Sequence, residues 1–454
     1  MSDLPKHAVT RAAKFAALPI GYAGRAALGF GKRVGGRPAE LVAAEMQARA
    51  AEQLFAVLGE LKGGAMKFGQ ALSIFEAAMP EEAAGPYRAM LTKLQDSAPA
   101  LPAATVHEVL AAELGPRWRA KFRSFDDEAA AAASIGQVHR AVWRDGRAVA
   151  VKIQYPGAAK ALLSDLANVS RVAKVATLWI PGVEIGPILA ELRGRMAEEL
   201  DYRLEGANQE AFARAFDGDP HVAVPHVLAY TERVIVSEWL DGLPLSTIIS
   251  DGEQQQRDLA GTRYMEFLLR GPGQCGLLHA DPHPGNFRLL GDGRLGVLDF
   301  GAVKHLPDGL PSEMGRLLTL ALGADHAAVL AGLRETGFVR EHIDVDAHRL
   351  LEYLEPFIAP LRTDSFTFSR TWLREVFAHI NDPRKPNYTV GMKLNLPPEY
   401  LLIHRVWLGG IGVLCQLHAR VPGRWTVGAH IPGADLPPMS SPTTDPQSGA
   451  AAGA

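Results

Sequence analysis

One short segment, HADPHPGNFRLLGDGRLGVLDFG at residues 279–301, concentrates side chains that could do chemistry. Asn286 follows Asp281 by five positions, and Asp299 comes directly after a short apolar stretch. A carboxylate can orient a hydroxyl group and accept its proton, while a carboxamide and a second carboxylate can hold magnesium against nucleotide phosphates. The segment therefore predicts phosphoryl transfer, with Asp281 as the catalytic carboxylate and Asn286 and Asp299 as magnesium ligands.

The spacing of these residues is that of a kinase catalytic loop followed by a D-F-G motif. A turn at Gly291-Asp292-Gly293 separates two short apolar runs, so we expect a hairpin that brings Asn286 and Asp299 to one end. A lone D-F-G is common by chance, but the spaced combination is not. An ordinary surface loop is therefore the weaker interpretation.

A metal site built on histidines is also disfavoured. His279 and His283 have the four-residue spacing that places two ligands on one face of a helix. Pro282 and Pro284 prevent a helix through them, so this geometry is not available.

A phosphate-binding lysine is expected upstream of such a loop. The stretch AVWRDGRAVAVKI reads as two strands joined by the tight-turn pair Asp145-Gly146. Lys152 ends the second strand in a V-x-V-K context close to the V-A-I-K of kinases. A lysine at the end of a strand is usually a solvated edge residue, and the preceding hairpin is what favours a catalytic role here.

The stretch AAASIGQV corresponds to the glycine-rich loop that covers the nucleotide in kinases. Ala131 and Ala133 stand where that loop has glycine, and Gly136 keeps its glycine. Alanine restricts the backbone more than glycine does, so we expect a stiffer loop. Ala131, Ala133, Ser134 and Gly136 are the predicted nucleotide-covering residues.

The remaining parts of the predicted site are a glutamate that pairs with Lys152 and a hinge strand that presents its backbone to adenine. The helical candidate AEELDYRLEGANQEAF offers several acids, of which we favour Glu199 as the partner, with Glu205 as the alternative. The strand RVIVSEWLDG falls where a kinase presents backbone to the base, from Glu238 to Leu240.

Composition and missing motifs narrow the class of protein. The 454 residues carry a net charge of −3, which gives no reason to expect nucleic acid, and two cysteines exclude a disulfide framework. No GxxxxGK[ST] occurs, which excludes a P-loop ATPase. The absence of A-P-E after the D-F-G argues against an ordinary peptide-docking protein kinase.

The pattern of apolar residues predicts both helices and strands, and the kinase-type motifs favour an α+β protein with a two-lobed, protein-kinase-like fold. We expect a basic apolar leader over 1–40, a helical extension over 41–118 and an N-lobe over 119–240. A helix-rich C-lobe over 241–430 carries the catalytic loop, and a Pro/Ser/Gly/Ala-rich tail over 431–454 is expected to be disordered. The apolar stretch LLIHRVWLGGIGVLCQLHARV is interrupted by His404 and Arg405, so no transmembrane helix is predicted.

The segment GGAMKFGQALS lies outside any kinase template and carries the resemblance to a family. Lys67, Gly69 and Gln70 match the K-x-G-Q signature of the UbiB/AarF atypical kinases, a branch of the protein-kinase-like fold linked to isoprenoid-quinone biosynthesis. HADPHPGN, the Ala-rich loop and the pair Glu199-x-Asp201 resemble further signatures of that family. The resemblance covers roughly residues 55–305 and implies that Lys67, Gly69 and Gln70 lie over the active site and gate it.

The resemblance implies an atypical kinase or ATPase that uses ATP and Mg²⁺ and supports quinone-biosynthesis enzymes. Membrane lipid or quinone precursors are the implied partners. We expect a cytoplasmic location, with peripheral membrane contact through the basic leader as a hypothesis. Two alternatives stay open: a small-molecule phosphotransferase of the aminoglycoside- or choline-kinase type, and a nucleotide-sensing scaffold.

Overall fold

The structure is a computed structural model that describes residues 101–133, 135–157, 200–382 and 386–437. The predicted leader, the part of the predicted 431–454 tail that follows residue 437, and the segment with Lys67, Gly69 and Gln70 lie outside the described residues. Ser134 and Glu199 also lie outside them.

The described residues contain helices and strands throughout, as expected for an α+β protein. The helices are α1 Ala103–Leu114, α2 Tyr202–Ala215, α3 Leu245–Asp251, α4 Gln254–Cys275, α5 Ser312–Leu322, α6 His326–Glu335, α7 Ala347–Ile358, α8 Arg370–Asn381, α9 Pro386–Gly391, α10 Pro398–Leu417 and α11 Gly423–His430. The strands are β1 Phe122–Ala133, β2 Gly136–Trp143, β3 Ala148–Gln154, β4 Val222–Ala223, β5 Val227–Tyr230, β6 Val234–Glu238, β7 Leu243–Pro244, β8 Leu277–His279, β9 Phe287–Leu289, β10 Leu295–Val297, β11 Val303–His305, β12 Phe366–Thr367 and β13 Arg420–Val421.

The residues fall into two compact units. The first comprises the described residues up to Leu245 together with His279–Lys304, and the second comprises Ser246–Leu278 and the described residues from His305 onward. The predicted catalytic loop therefore belongs to the first unit. The reason is that β9 and β10 pair with β4 and β7 of the first unit in one four-stranded sheet.

The first unit is built on an antiparallel sheet with the strand order β1-β2-β3-β6-β5. Successive side chains of a strand point to opposite faces. Val149, Val151 and Ile153 of β3 are therefore fully buried on one face, in a core that includes Leu110 of α1. Lys152 belongs to the other face, so the alternation that builds the core also turns the lysine away from it.

The predicted hairpins are confirmed. β2 and β3 pair antiparallel around Asp145-Gly146, where Gly146 has a φ of +101° that favours glycine. β9 and β10 pair antiparallel on either side of the predicted turn. The backbone N–H of Leu298 donates to the carbonyl of Asn286 at 2.9 Å, so Asn286 and Asp299 lie at the same end of the hairpin, as expected.

The second unit is largely helical, with one short strand pair, β12 and β13. α10 packs against α4, where the Leu268 side chain fills the space beside Gly410. Within the ranges that the structure covers, α10 is the one helix long and apolar enough to cross a membrane, and 56% of its most apolar window is buried. A mostly buried core helix meets the same criteria, so this is weak evidence for a membrane span.

Candidate active site

Lys152 lies between two carboxylates at the centre of the first unit. Its Nζ is 2.5 Å from Oε1 of Glu205 and 3.1 Å from Oδ2 of Asp299. The side chains of Lys152, Glu205 and Asp299 are 16%, 5% and 20% exposed. Residues that are 53 and 147 positions apart in sequence therefore form one largely desolvated charge cluster.

The glutamate that meets Lys152 is the alternative of the two that the sequence offered. Glu205, the alternative, makes the contact, while Glu199, the favoured residue, lies outside the described residues. Asp201 caps α2 by accepting a hydrogen bond from the Arg203 N–H at 3.0 Å. The cap begins the helix at Tyr202, and Glu205 then falls in the first turn, on the face towards β3.

The Tyr202 ring packs against the Lys152 ammonium, and Tyr202 was not among the predicted site residues. Nζ of Lys152 lies 5.2 Å from the centroid of the Tyr202 ring, a cation–π geometry, and the ring is 1% exposed. The available signal was the three-residue spacing between Tyr202 and Glu205, which places both side chains on one face of a helix.

The charge state of Lys152 follows from its neighbours. Burial alone would lower the pKa of Lys152, but the carboxylates of Asp299 and Glu205 outweigh it and raise the pKa well above the ordinary value. The lysine is therefore a permanent cation at neutral pH, as a group that binds phosphates must be.

The catalytic loop is braced by its own hydrogen bonds. Nδ2 of Asn286 donates to the backbone carbonyl of Asp281 at 3.1 Å, which ties the two predicted residues together. His279 is 1% exposed, and its Nε2 lies 2.6 Å from the carbonyl oxygen of Asp299. His279, for which a metal-binding role is disfavoured, thus fixes the backbone at Asp299.

The D-F-G segment is held by packing on both sides. Phe300 is fully buried, with its ring 5.0 Å from that of Phe212 on α2. The Gly301 N–H donates to Oδ1 of Asp299 at 2.9 Å. A Cβ at Gly301 would lie 3.2 Å from the same Oδ1, so glycine leaves the Asp299 carboxylate room to turn.

The predicted nucleotide-covering loop is the tip of the β1–β2 hairpin. Ala131 and Ala133 are strand residues that pair with Val138 and Gly136. Gly136 keeps its predicted place at the hairpin tip, and its close packing there explains why it is glycine. A Cβ there would lie 2.2 Å from the carbonyl oxygen of Ile153, so glycine is needed because β3 passes so close.

The predicted hinge follows β6. The N–H of Glu238 donates to the carbonyl of His226 at 3.0 Å, and the N–H of Trp239 donates to that of Ala148 at 3.0 Å. The Glu238 side chain accepts a hydrogen bond from Nη1 of Arg147 at 3.0 Å. The Glu238 and Trp239 amides are therefore already used within the sheet, while the predicted role of residues 238–240 in binding the base stays a prediction.

The donor atoms suit magnesium. Nδ2 of Asn286 is used as a donor, so Oδ1 is the atom that could act as a ligand, and the hairpin brings Asn286 to the same end as Asp299. Magnesium prefers oxygen ligands and is commonly held by one or two protein groups together with substrate phosphates. Among the described residues, no group of three or more His, Cys, Asp or Glu could hold a metal ion by itself.

Comparison with known proteins identifies relatives over most of the chain. The ABC1 atypical kinase-like domain matches residues 93–332. The mitochondrial atypical kinase COQ8B of Danio rerio is 31% identical over 76% of this chain and 56% of its own length. The mitochondrial atypical kinase coq-8 of Caenorhabditis elegans is 30% identical over 76% of this chain and 48% of its own. This chain therefore spans about half the length of these two relatives.

A solved structure from Mycobacterium tuberculosis is also similar. It is the complex of Rv3197 with erythromycin, 44% identical in sequence with a TM-score of 0.70. The match covers 88% of this chain and all of that one.

Proposed function

Because this chain belongs to the ABC1 atypical kinase-like family, in agreement with its resemblance to UbiB/AarF proteins, we propose that it binds ATP with Mg²⁺ and transfers or hydrolyses the terminal phosphate. The observation that carries the proposal is the position of Lys152 between Glu205 and Asp299. Such a lysine, held by a glutamate beside the D-F-G aspartate, is the phosphate-binding arrangement of kinases.

Each residue has a distinct role in this proposal. Glu205 holds Lys152 in place to contact the α- and β-phosphates, while Asp299 and Oδ1 of Asn286 hold the metal ion. Bound magnesium would neutralise charge on the phosphate oxygens. Asp281 orients the attacking hydroxyl or water and accepts its proton. The Ala131–Gly136 hairpin tip covers the phosphates, and Leu240 meets the base.

The phosphate acceptor and the partners are inferred from the family resemblance. We propose that the protein supports isoprenoid-quinone biosynthesis, with quinone precursors, membrane lipid or quinone-biosynthesis enzymes as its partners. Lys67, Gly69 and Gln70 would gate access of a substrate. Contact with a membrane surface through the basic leader remains part of this proposal.

The decisive experiment compares Asp299→Asn with a matched control on the same hairpin, Asp292→Asn. Asp292 is exposed and pairs only locally, with Nε of Arg294 at 2.8 Å. We expect Asp299→Asn to lose Mg-ATP binding and ATPase activity by on the order of 10²- to 10³-fold, as for removal of a preorganised charged group. Asp292→Asn should keep wild-type activity, with and without liposomes.

Unchanged ATP hydrolysis in Asp299→Asn contradicts this map of the site. Robust ADP release that depends on small hydroxyl compounds supports the small-molecule phosphotransferase instead. ATP binding without any turnover supports the nucleotide-sensing scaffold.

A second candidate function is macrolide binding, favoured by the similarity to the Rv3197–erythromycin complex. Titration calorimetry with erythromycin tests it, with the sugar-free lactone as a control. No heat of binding at millimolar ligand refutes it without affecting the phosphoryl-transfer proposal.

A further inference from the structure

A buried chain of hydrogen bonds runs through the first unit beside the Ala-rich hairpin. Nδ1 of His139 lies 2.8 Å from the backbone carbonyl oxygen of Asp126. Nε2 of His139 lies 2.7 Å from Nε2 of Gln137, and Oε1 of Gln137 accepts from the Leu101 N–H at 2.7 Å. His139 is fully buried and Gln137 is 1% exposed, so water cannot replace these bonds.

Only one arrangement of hydrogens satisfies this chain. The Asp126 carbonyl can only accept, so Nδ1 of His139 carries the proton and Nε2 offers a lone pair. The Gln137 amide then donates from its NH₂ to that lone pair and presents its oxygen to Leu101. If both ring nitrogens carried a proton, Nε2–H of His139 would face the Gln137 NH₂, and two donors would be opposed. Flipping the amide would remove that conflict, but its NH₂ would then face the Leu101 N–H, again opposing two donors.

The surroundings favour the neutral ring. Burial lowers the pKa of His139 below its ordinary value, and His107 adds to this effect, although Asp126 and Asp127 oppose it. His139 also stacks on Phe125 at 5.1 Å between ring centroids. The imidazole is therefore a fixed, uncharged link near neutral pH.

The chain lies where the pairing of β1 with β2 is irregular. Register shifts occur between Phe125 and Ala129 and between Ala129 and Ala131, and Asp126 falls in the first of them. Regular pairing does not hold a strand at a bulge, so side-chain contacts must set its position. His139 opposes Ala129, and Gln137 opposes Ala132, next to the hairpin tip. The hydrogen bonds therefore tie the tip of the hairpin to Leu101, two residues before α1.

We propose that Gln137 and His139 are positioning residues that hold the Ala-rich hairpin at a fixed distance from the nucleotide phosphates. Neither residue needs to touch the nucleotide. The inference rests on the proposed function, because nucleotide affinity is the quantity that the hairpin would set.

The hydrogen arrangement can be tested without nucleotide. Long-range ¹⁵N–¹H NMR of histidine-labelled protein reports the tautomer of each ring, and the His139→Asn variant identifies the His139 signals. We expect the Nδ1–H tautomer at neutral pH. The Nε2–H tautomer, or a charged ring at pH 7, overturns the proposal.

The functional test uses Gln137→Met, which keeps the length of the side chain but neither hydrogen bond, with Arg144→Gln, exposed just after the far end of β2, as the control. Loss of a buried hydrogen-bond partner predicts a rise of about 10-fold in the KM for ATP, with kcat and the control little changed. An unchanged KM in an otherwise active variant, or a fall in kcat alone, refutes the positioning role. Failure of the wild type to bind any nucleotide refutes the proposed function instead.

Gln137→Glu keeps the test decisive if the methionine variant does not fold. Its carboxylate can accept from Leu101 and, once His139 is protonated, from Nε2–H, so it raises the pKa of His139. We expect a near-wild-type KM at low pH and a raised KM at high pH. A pH profile parallel to that of the wild type contradicts the proposal.

Discussion

Removing the Glu205 carboxylate tests whether the buried charges of Lys152, Glu205 and Asp299 stabilise the fold through their mutual interaction. In Glu205→Gln the Lys152 ammonium stays buried but keeps Asp299, at 3.1 Å, and the Tyr202 ring. Loss of one partner of a buried ion pair costs about 3–5 kcal/mol when nothing replaces it. Because Asp299 remains, we expect the free energy of unfolding to fall by roughly half of that range, about 2 kcal/mol.

A double-mutant cycle with Lys152→Met and Glu205→Gln separates the pairwise term from the cost of each change. We expect a coupling free energy of about 2 kcal/mol, within the range for contacting residues. The matched control is the ion pair of Arg203 with Glu232, also at α2, whose atoms are 2.7 Å apart but whose side chains are 57% and 62% exposed. There we expect only about 0–1 kcal/mol.

The measurement is urea unfolding of all variants, followed by circular dichroism and tryptophan fluorescence. The energies are to be compared only where the urea dependence of the unfolding free energy is unchanged. Equal coupling in the buried and exposed pairs, or additive effects at Lys152 and Glu205, would refute the argument that desolvation makes this cluster strong.

Three further predictions concern the elements that position the site. Gly136→Ala should destabilise the first unit by about 1–3 kcal/mol, because its Cβ would meet the Ile153 carbonyl oxygen at 2.2 Å, and thermal unfolding measures this; an unchanged melting temperature contradicts it. Asp201→Ala should lower the free energy of unfolding by about 1 kcal/mol through loss of the α2 cap, and activity should fall together with stability. Asp201→Ser should keep most of both the stability and the activity. The folded-state pKa of His139 is lowered, so its contribution to stability is present above the unfolded pKa of about 6.5 and is lost as pH falls towards the folded value. Urea unfolding from pH 7.5 to 5 should therefore show a smaller decline in His139→Asn than in the wild type, and identical declines would count against a buried neutral ring.

Local patterns predicted the local elements well. The tight-turn pair Asp145-Gly146 predicted the hairpin that carries Lys152, and the turn Gly291-Asp292-Gly293 placed Asn286 and Asp299 at one end of a second hairpin. Both follow from turn residues between two apolar runs, which is a property of consecutive residues. The alanine run shows where this approach is weaker, because it was expected as a loop and forms the end of β1.

The amino-acid sequence by itself determined which chemical groups are present and which helices and strands carry them. A carboxylate, a carboxamide and a lysine at kinase spacings, together with the K-x-G-Q segment, were enough to indicate the family. What only the tertiary structure decided is which acid meets Lys152. Glu199 and Glu205 both belong to one acidic stretch, and no local rule separates them. The Asp201 cap and the burial of Tyr202 against β3 and β6 set the rotation of α2, and that rotation brings Glu205 to the lysine.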